Sequence, residues 1–294
     1  MEPLAKNNLL LFAHIPKTAG MTLWTIIKQN YPGDDSYYYD IGLDLAKAAR
    51  RITRSPDINI AMGHFGFGFH HFFKQPYVYL TMLREPVERT ISDYYYYQQS
   101  EMAINQYNPP LTWQKFCTRM ANNTMTRFYS GLEFAYMKHF QSFDRLRTAK
   151  IQNHPVLKDY YNSSSSELLE LAKNNLKQHF EYIGIVERFD ESLILLRRKF
   201  GWKHLNYINR NIGNKKPKRL NFSSQDIDCI MQYNQLDIEL YNYAQKLFEQ
   251  QIKIQDKSFD QEVTTLQKHN KRYSKLINST EVQAKLLKNL PVGL

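Results

Sequence analysis

The chain has 294 residues, of which 43 % are hydrophobic and 23 % charged. That balance supports a sizeable core and excludes a disordered or collagen-like chain. A net charge of +11 favours an anionic partner: nucleic acid, a membrane surface, a phosphorylated donor or an acidic polysaccharide. Only Cys117 and Cys229 are present, so neither a disulfide framework nor a four-cysteine zinc site can be built. No stretch nears the ~20 apolar residues of a spanning helix. The first apolar run is too short for a secretory leader, and the four glycosylation sequons, at Asn122, Asn162, Asn221 and Asn278, are not taken as a sign of secretion. The protein is therefore expected in the cytoplasm.

Leu9–Ala13 is a continuous apolar run of the kind a buried parallel strand shows. It runs into His14-Ile15-Pro16-Lys17-Thr18-Ala19-Gly20-Met21-Thr22, an amphipathic helix over 23–30 and the turn Pro32-Gly33-Asp34. A second strand is predicted over 58–62, followed by Gly63-His64 and an aromatic loop to His71. Tyr77–Leu83 is the clearest strand, rich in β-branched and aromatic residues. Arg84-Glu85-Pro86 follows it, with Pro86 at the first position of a helix whose Val87, Ile91, Tyr94 and Tyr95 repeat at helical spacing. The segment 98–163 reads as helical and polar-aromatic, broken at Pro109-Pro110. Next come a helix over 167–180, a strand over 182–186 and a helix, Phe189–Phe200, ended by Gly201. The basic loop 209–219 precedes a helical region over 226–254 capped by Ser223 or Ser224. The remaining tail is polar and reads as a peripheral helix or an extension.

Strands alternating with helices predict a parallel sheet with helices on both faces, and in such sheets ligands bind outside the carboxyl ends of the strands. Lys17, His64 and Arg84 all stand at that edge. A strand–loop–helix unit carrying a lysine can cradle a phosphate: the helix start offers unpaired N–H groups, and Lys17 adds a full charge. The loop lacks the Gly-x-x-x-x-Gly-Lys-Ser/Thr order of nucleoside-triphosphate sites and suits one phosphate-like group, although an ordinary tight turn would use the same residues. Arg84 and Ser92 could hold a second phosphate, and Ser92 could equally be a neutral surface residue. Arg89 is expected to pair with Glu85. His64 is a candidate general base, against the alternative of a packing residue; His70 and His71 are assigned to the aromatic loop.

The run from His14 to Leu23 resembles the 5′-phosphosulfate loop of sulfotransferases that use 3′-phosphoadenosine 5′-phosphosulfate (PAPS). It looks most like the branch of heparan sulfate 2-O- and 6-O-sulfotransferases and their bacterial relatives. The run from Leu83 to Tyr95 resembles the 3′-phosphate motif of that branch. Gly63-His64-Phe65 stands where the branch places its base-bearing loop, and the run from Gly184 to Ser192 has the same likeness. The resemblance implies that Lys17 binds the phosphosulfate and that Thr18, Ala19, Gly20, Met21 and Thr22 supply backbone N–H groups, with the Thr22 hydroxyl added. It further implies that Arg84 and Ser92 hold the 3′-phosphate, that His64 is the base, and that Lys215, Lys216 and Lys218 cover the nucleotide. Met21 departs from the pattern, where many relatives carry a small hydroxyl residue.

The expected fold is thus α/β, a P-loop-like three-layer arrangement with a central parallel sheet flanked by helices, plus a helical insertion and C-terminal helices. A sulfotransferase domain over 1–254 contains an acceptor-side insertion over 98–163 that carries Tyr94–Tyr97 at its edge, Trp113, Arg119, Arg127, Tyr129 and Lys138; a polar extension covers 255–294. The expected activity moves a sulfo group from PAPS to an acceptor hydroxyl, on a saccharide or glycan, releasing 3′,5′-ADP, with no metal and no nucleic-acid partner. A small-molecule kinase on the same fold and a non-enzymatic basic anion-binding protein are the alternatives.

Overall fold

A computed structural model describes residues 8–39, 45–99, 111–119, 122–131, 165–207 and 222–277. Five strands form one parallel sheet: β1 (Leu9–Ala13), β2 (Ser36–Tyr39), β3 (Ile60–Gly63), β4 (Tyr77–Leu83) and β5 (Phe180–Ile185), in the order β2-β3-β1-β4-β5. Every residue of β1 and β3 is buried, because helices cover both faces and leave no solvent side for polar alternation. Four of the strands lie where their apolar runs predict, with ends shifted by up to two residues in β3 and β5. The fifth, β2, is the polar run Ser-Tyr-Tyr-Tyr; it pairs only with β3, and an edge strand needs no continuous apolar run.

Helix α1 (Gly20–Asn30) follows β1, and α2 (Leu45–Arg54) precedes β3. Leu45, Ala48, Ala49 and Ile52 form the buried stripe of α2, at helical spacing. Helix α3 (Pro86–Gln99) begins at Pro86 as expected, and α4 (Trp113–Arg119), α5 (Thr124–Ser130) and α6 (Ser165–His179) follow. Helix α7 (Phe189–Phe200) stops at Gly201, whose φ of 72° is a left-handed conformation that glycine adopts without a Cβ penalty.

The helical region predicted over 226–254 is two helices, α8 (Ser224–Tyr233) and α9 (Gln235–Lys253). Ser223 caps α8 in a reciprocal capping box with Asp226. The break falls at buried Asn234, whose side-chain amide donates to the Ile230 carbonyl at 2.9 Å. Beyond it the Asn123 side-chain oxygen accepts from the N–H groups of Leu236 and Asp237. The buried Asp237 carboxylate in turn accepts from the Met125 and Thr126 N–H groups and the Thr126 hydroxyl, at 2.7–2.9 Å. A carboxylate at the start of α5 thus locks α5 to α9. Helix α10 (Phe259–Ile277) buries Phe259, Val263 and Leu266 in the main core, and residues 278–294 lie outside the described set.

The chain places β3 and β2 on one side of β1 and β4 and β5 on the other, so connections leave β1 and β4 in opposite directions. The crevice that opens between their carboxyl ends is where an open α/β sheet takes its ligand.

Candidate active site

The loop after β1 turns sharply. Lys17 and Ala19 have positive φ, 71° and 62°, a conformation that side chains with a Cβ adopt only when their surroundings hold them. Thr18, between them, is fully buried; its hydroxyl donates to the Ile15 carbonyl at 2.8 Å and lies 3.2 Å from His14 Nδ1. Because that hydroxyl has one proton and gives it to Ile15, His14 Nδ1 carries its own proton toward Thr18. Burial holds the His14 pKa well below the usual histidine range, with the charges of His64 and Lys17 adding to the effect, so this imidazole is neutral.

Helix α1 starts directly at the loop, one turn earlier than the amphipathic pattern suggests. Its first backbone bond runs from the Leu23 N–H to the Ala19 carbonyl at 3.0 Å, so Gly20, Met21 and Thr22 precede any intrahelical partner. Gly20 is required sterically: a Cβ there would stand 1.9 Å from His14 Nε2.

The half-buried Lys17 sets its ammonium 4.4 Å from the centre of the Tyr96 ring, a cation–π contact. Burial lowers its pKa; the Asp93 carboxylate opposes that shift and Arg84 adds to it. Arg84 donates to the Lys17 carbonyl at 3.2 Å and pairs loosely with exposed Glu88 at 3.6 Å. Its loop is braced from β5: Glu187 accepts from the Glu85 N–H at 3.1 Å and from the Tyr241 hydroxyl at 2.7 Å. Ser92 is half-buried on α3, two turns beyond Arg84.

His64 leaves β3 beside β1, where the His14 N–H donates to the Gly63 carbonyl at 2.9 Å. The two imidazole centres are 5.1 Å apart, and the Tyr38 ring meets His64 edge-on at 6.2 Å. His70 lies elsewhere, stacked on Tyr77 at 4.6 Å near the amino end of β4, with its N–H bonded to the Tyr79 hydroxyl. Burial and the neighbouring His71 and His179 lower its pKa to about 4.

Lys17, Arg84 and His64 therefore gather at adjacent strand ends; sequence reasoning missed their neighbours Asp93 and His14 and gave the third, Tyr96, to the acceptor wall. Tyr96 lies one helical turn from Ser92 on α3, and Asp93 one turn from Arg89, a spacing that could have tied both to this edge; His14 had no signal beyond its place before Lys17. Arg89 does not pair with Glu85. The Glu85 carboxylate accepts from the Val87 and Glu88 N–H groups and caps α3, while the fully buried Arg89 guanidinium faces Asp93 at 3.6 Å. Trp113 and Tyr129, expected on the acceptor wall, are core residues. Trp113 packs with Tyr94, Tyr97 and Phe116, and the Tyr129 hydroxyl bonds to Thr81 inside the sheet. Lys138, Lys215, Lys216 and Lys218 lie outside the described residues.

Among the described residues no helix is long and apolar enough to cross a membrane, and no group of three or more His, Cys, Asp or Glu is arranged around a metal position. No curated protein matches the chain. A family model described as galactose-3-O-sulfotransferase matches residues 45–288, which include His64, Arg84 and Ser92 but not the Lys17 loop. The family shown is thus a sulfotransferase family, but not the heparan sulfate branch that the motifs resemble. Galactose-3-O-sulfotransferases are enzymes of the Golgi lumen, which overturns the cytoplasmic expectation; that expectation rested on a short first apolar run, which does not define a compartment. With a strand order and helix cover that suit a P-loop-like sulfotransferase fold, and a family match over more than half its length, the chain belongs to the galactose-3-O-sulfotransferase family.

Proposed function

We propose that the protein transfers the sulfo group of PAPS to a saccharide hydroxyl, with a galactose unit as the acceptor that the family's name points to. The observation that carries this reading is the meeting of Lys17, Arg84 and the start of α1 in the crevice between β1 and β4, with His64 one strand away. The site chemistry fits an anionic donor, since two cationic side chains and three helix-start N–H groups converge.

In this reading Lys17 and the amides of residues 18–22 hold the phosphosulfate and offset charge on its bridging oxygen, which is usually the larger catalytic term. Arg84 and Ser92 hold the 3′-phosphate, and Lys215 and Lys216 cover the nucleotide. His64 takes the proton of the acceptor hydroxyl as its oxygen bonds to sulfur and the bond from sulfur to the phosphate oxygen breaks, releasing 3′,5′-ADP. Neutral His14 keeps a second positive charge away from an imidazole that must accept a proton. The segment 98–163 supplies the acceptor wall, with exposed Tyr96 at its start. The likeness of the two loops to the heparan sulfate branch concerns donor contacts and leaves the acceptor open to the galactose reading.

The test is incubation of the purified protein with PAPS and a galactose-terminated oligosaccharide. A product heavier by one sulfo group is expected, lost in Lys17→Ala and competed by 3′,5′-ADP but not by ATP. Transfer at the wild-type rate by Lys17→Ala, or phosphoryl transfer from ATP instead, would overturn the reading.

A further inference from the structure

Beside the main core lies a smaller one, built from Tyr94 and Tyr97 of α3, Leu111, Trp113, Phe116 and Cys117 of the α4 segment, and Ile230 of α8. Cys229 of α8 packs against the same cluster. The only two cysteines of the chain, far apart in sequence, therefore share one cluster, where Cys117 is fully buried and Cys229 half-buried. A single buried cysteine is a small hydrophobe whose presence needs no explanation. Two that converge from different helices as the whole thiol content of a chain require more, and in a family of the Golgi lumen the surroundings let disulfides form and persist.

We propose that Cys117 and Cys229 are joined as an intramolecular disulfide that ties α4 to α8. The inference stands apart from the transferase reading, since it needs neither donor nor acceptor. Its effect would be mechanical. The two helices grip Tyr94 and Tyr97, and the same helix, α3, carries Asp93 and Tyr96 beside Lys17. The bridge would close a long loop, the case in which a crosslink restricts the unfolded chain most.

Formation runs by thiol–disulfide exchange with a disulfide oxidant such as oxidised glutathione. The more accessible Cys229 loses its proton and attacks one sulfur of the oxidant, releasing a thiolate and leaving a mixed disulfide. Cys117, whose pKa burial and the neighbouring Cys229 push upward, then loses its proton and displaces the second thiolate. The two cysteines surrender two protons and two electrons, and the oxidant gains both as two thiols.

The full-length protein, equilibrated with oxidised glutathione, would be unfolded in denaturant with an alkylating agent and its mass measured. The expected product is lighter by two hydrogens, carries no alkyl group, and yields one crosslinked peptide pair containing Cys117 and Cys229. Reductant should lower the Tm of the wild type by roughly 5 °C or more and leave that of Cys229→Ser unchanged. Alkylation of both cysteines after that equilibration, or a crosslink found only between two chains, would overturn the proposal. So would an equal response of wild type and Cys229→Ser to reductant.

Discussion

In the proposed function Lys17 has two demands on it: it must be charged to hold an anion, and its half-buried position works against that charge. Its pKa is lowered by burial despite the Asp93 carboxylate, so the unliganded protein loses this proton at a lower pH than an exposed lysine. The alkaline limb of the pH profile of kcat/KM for PAPS should therefore fall early, and Lys17→Arg should move that limb to higher pH, because guanidinium does not titrate there. A limb in the same place in both proteins would separate it from Lys17. His64 and His70 make a second contrast, since one stands at the crevice and the other at the far end of β4. His64→Ala should lower kcat by ~10²-fold or more with 3′,5′-ADP binding retained, and His70→Ala should cost far less; side-by-side turnover of the two variants decides. Gly20 supplies the third. Alanine near a helix start would ordinarily stabilise relative to glycine, but here its methyl would overlap His14. Gly20→Ala should destabilise by about 1–3 kcal/mol in urea unfolding, and the double variant with His14→Ala should recover much of the loss.

Among the elements, the least expected is the junction of α5 with the break between α8 and α9. A periodic apolar pattern runs straight through Asn234, and nothing local ends the helix there as a proline would. Asn123 ends it from across the fold by accepting the first N–H groups of α9, and Asp237 of α9 caps α5 in return. Hydrogen bonds to a charged acceptor contribute about 1.5–3 kcal/mol each, and removing the acceptor leaves buried donors unsatisfied. Asp237→Ala should therefore cost about 3 kcal/mol or more by urea unfolding, and Asp237→Asn, which keeps one acceptor oxygen, less. The crevice loop was legible in part: the strand, the lysine and the following helix all stand in the sequence. The two left-handed residues were not, because Lys17 and Ala19 carry no glycine-like signal and are held there by Thr18, His14 and Arg84.

For the molecule as a whole, two histidines with lowered pKa values give stability a defined response to acid. The unfolded chain binds protons on His14 and His70 near pH 6.5, and the folded chain resists them, His70 down to about 4. The unfolded state then holds more protons across that window, so stability falls as pH drops through it and levels off below both values. Tm measured from pH 7 to 4 should decline, with a shallower slope in His70→Gln; an unchanged slope in that variant would remove His70 from the account. The sequence by itself determined the alternation of apolar strands and amphipathic helices, hence the parallel sheet, and set Lys17, His64 and Arg84 at strand ends, because residue periodicity and turn chemistry are local properties. Only the tertiary structure decided that β1 lies between β3 and β4, that Arg89 faces Asp93, that Trp113 and Tyr129 are core, and that Tyr96 lies over Lys17. Those outcomes depend on which buried surfaces and polar groups satisfy one another across the fold, and no spacing along the chain encodes that choice.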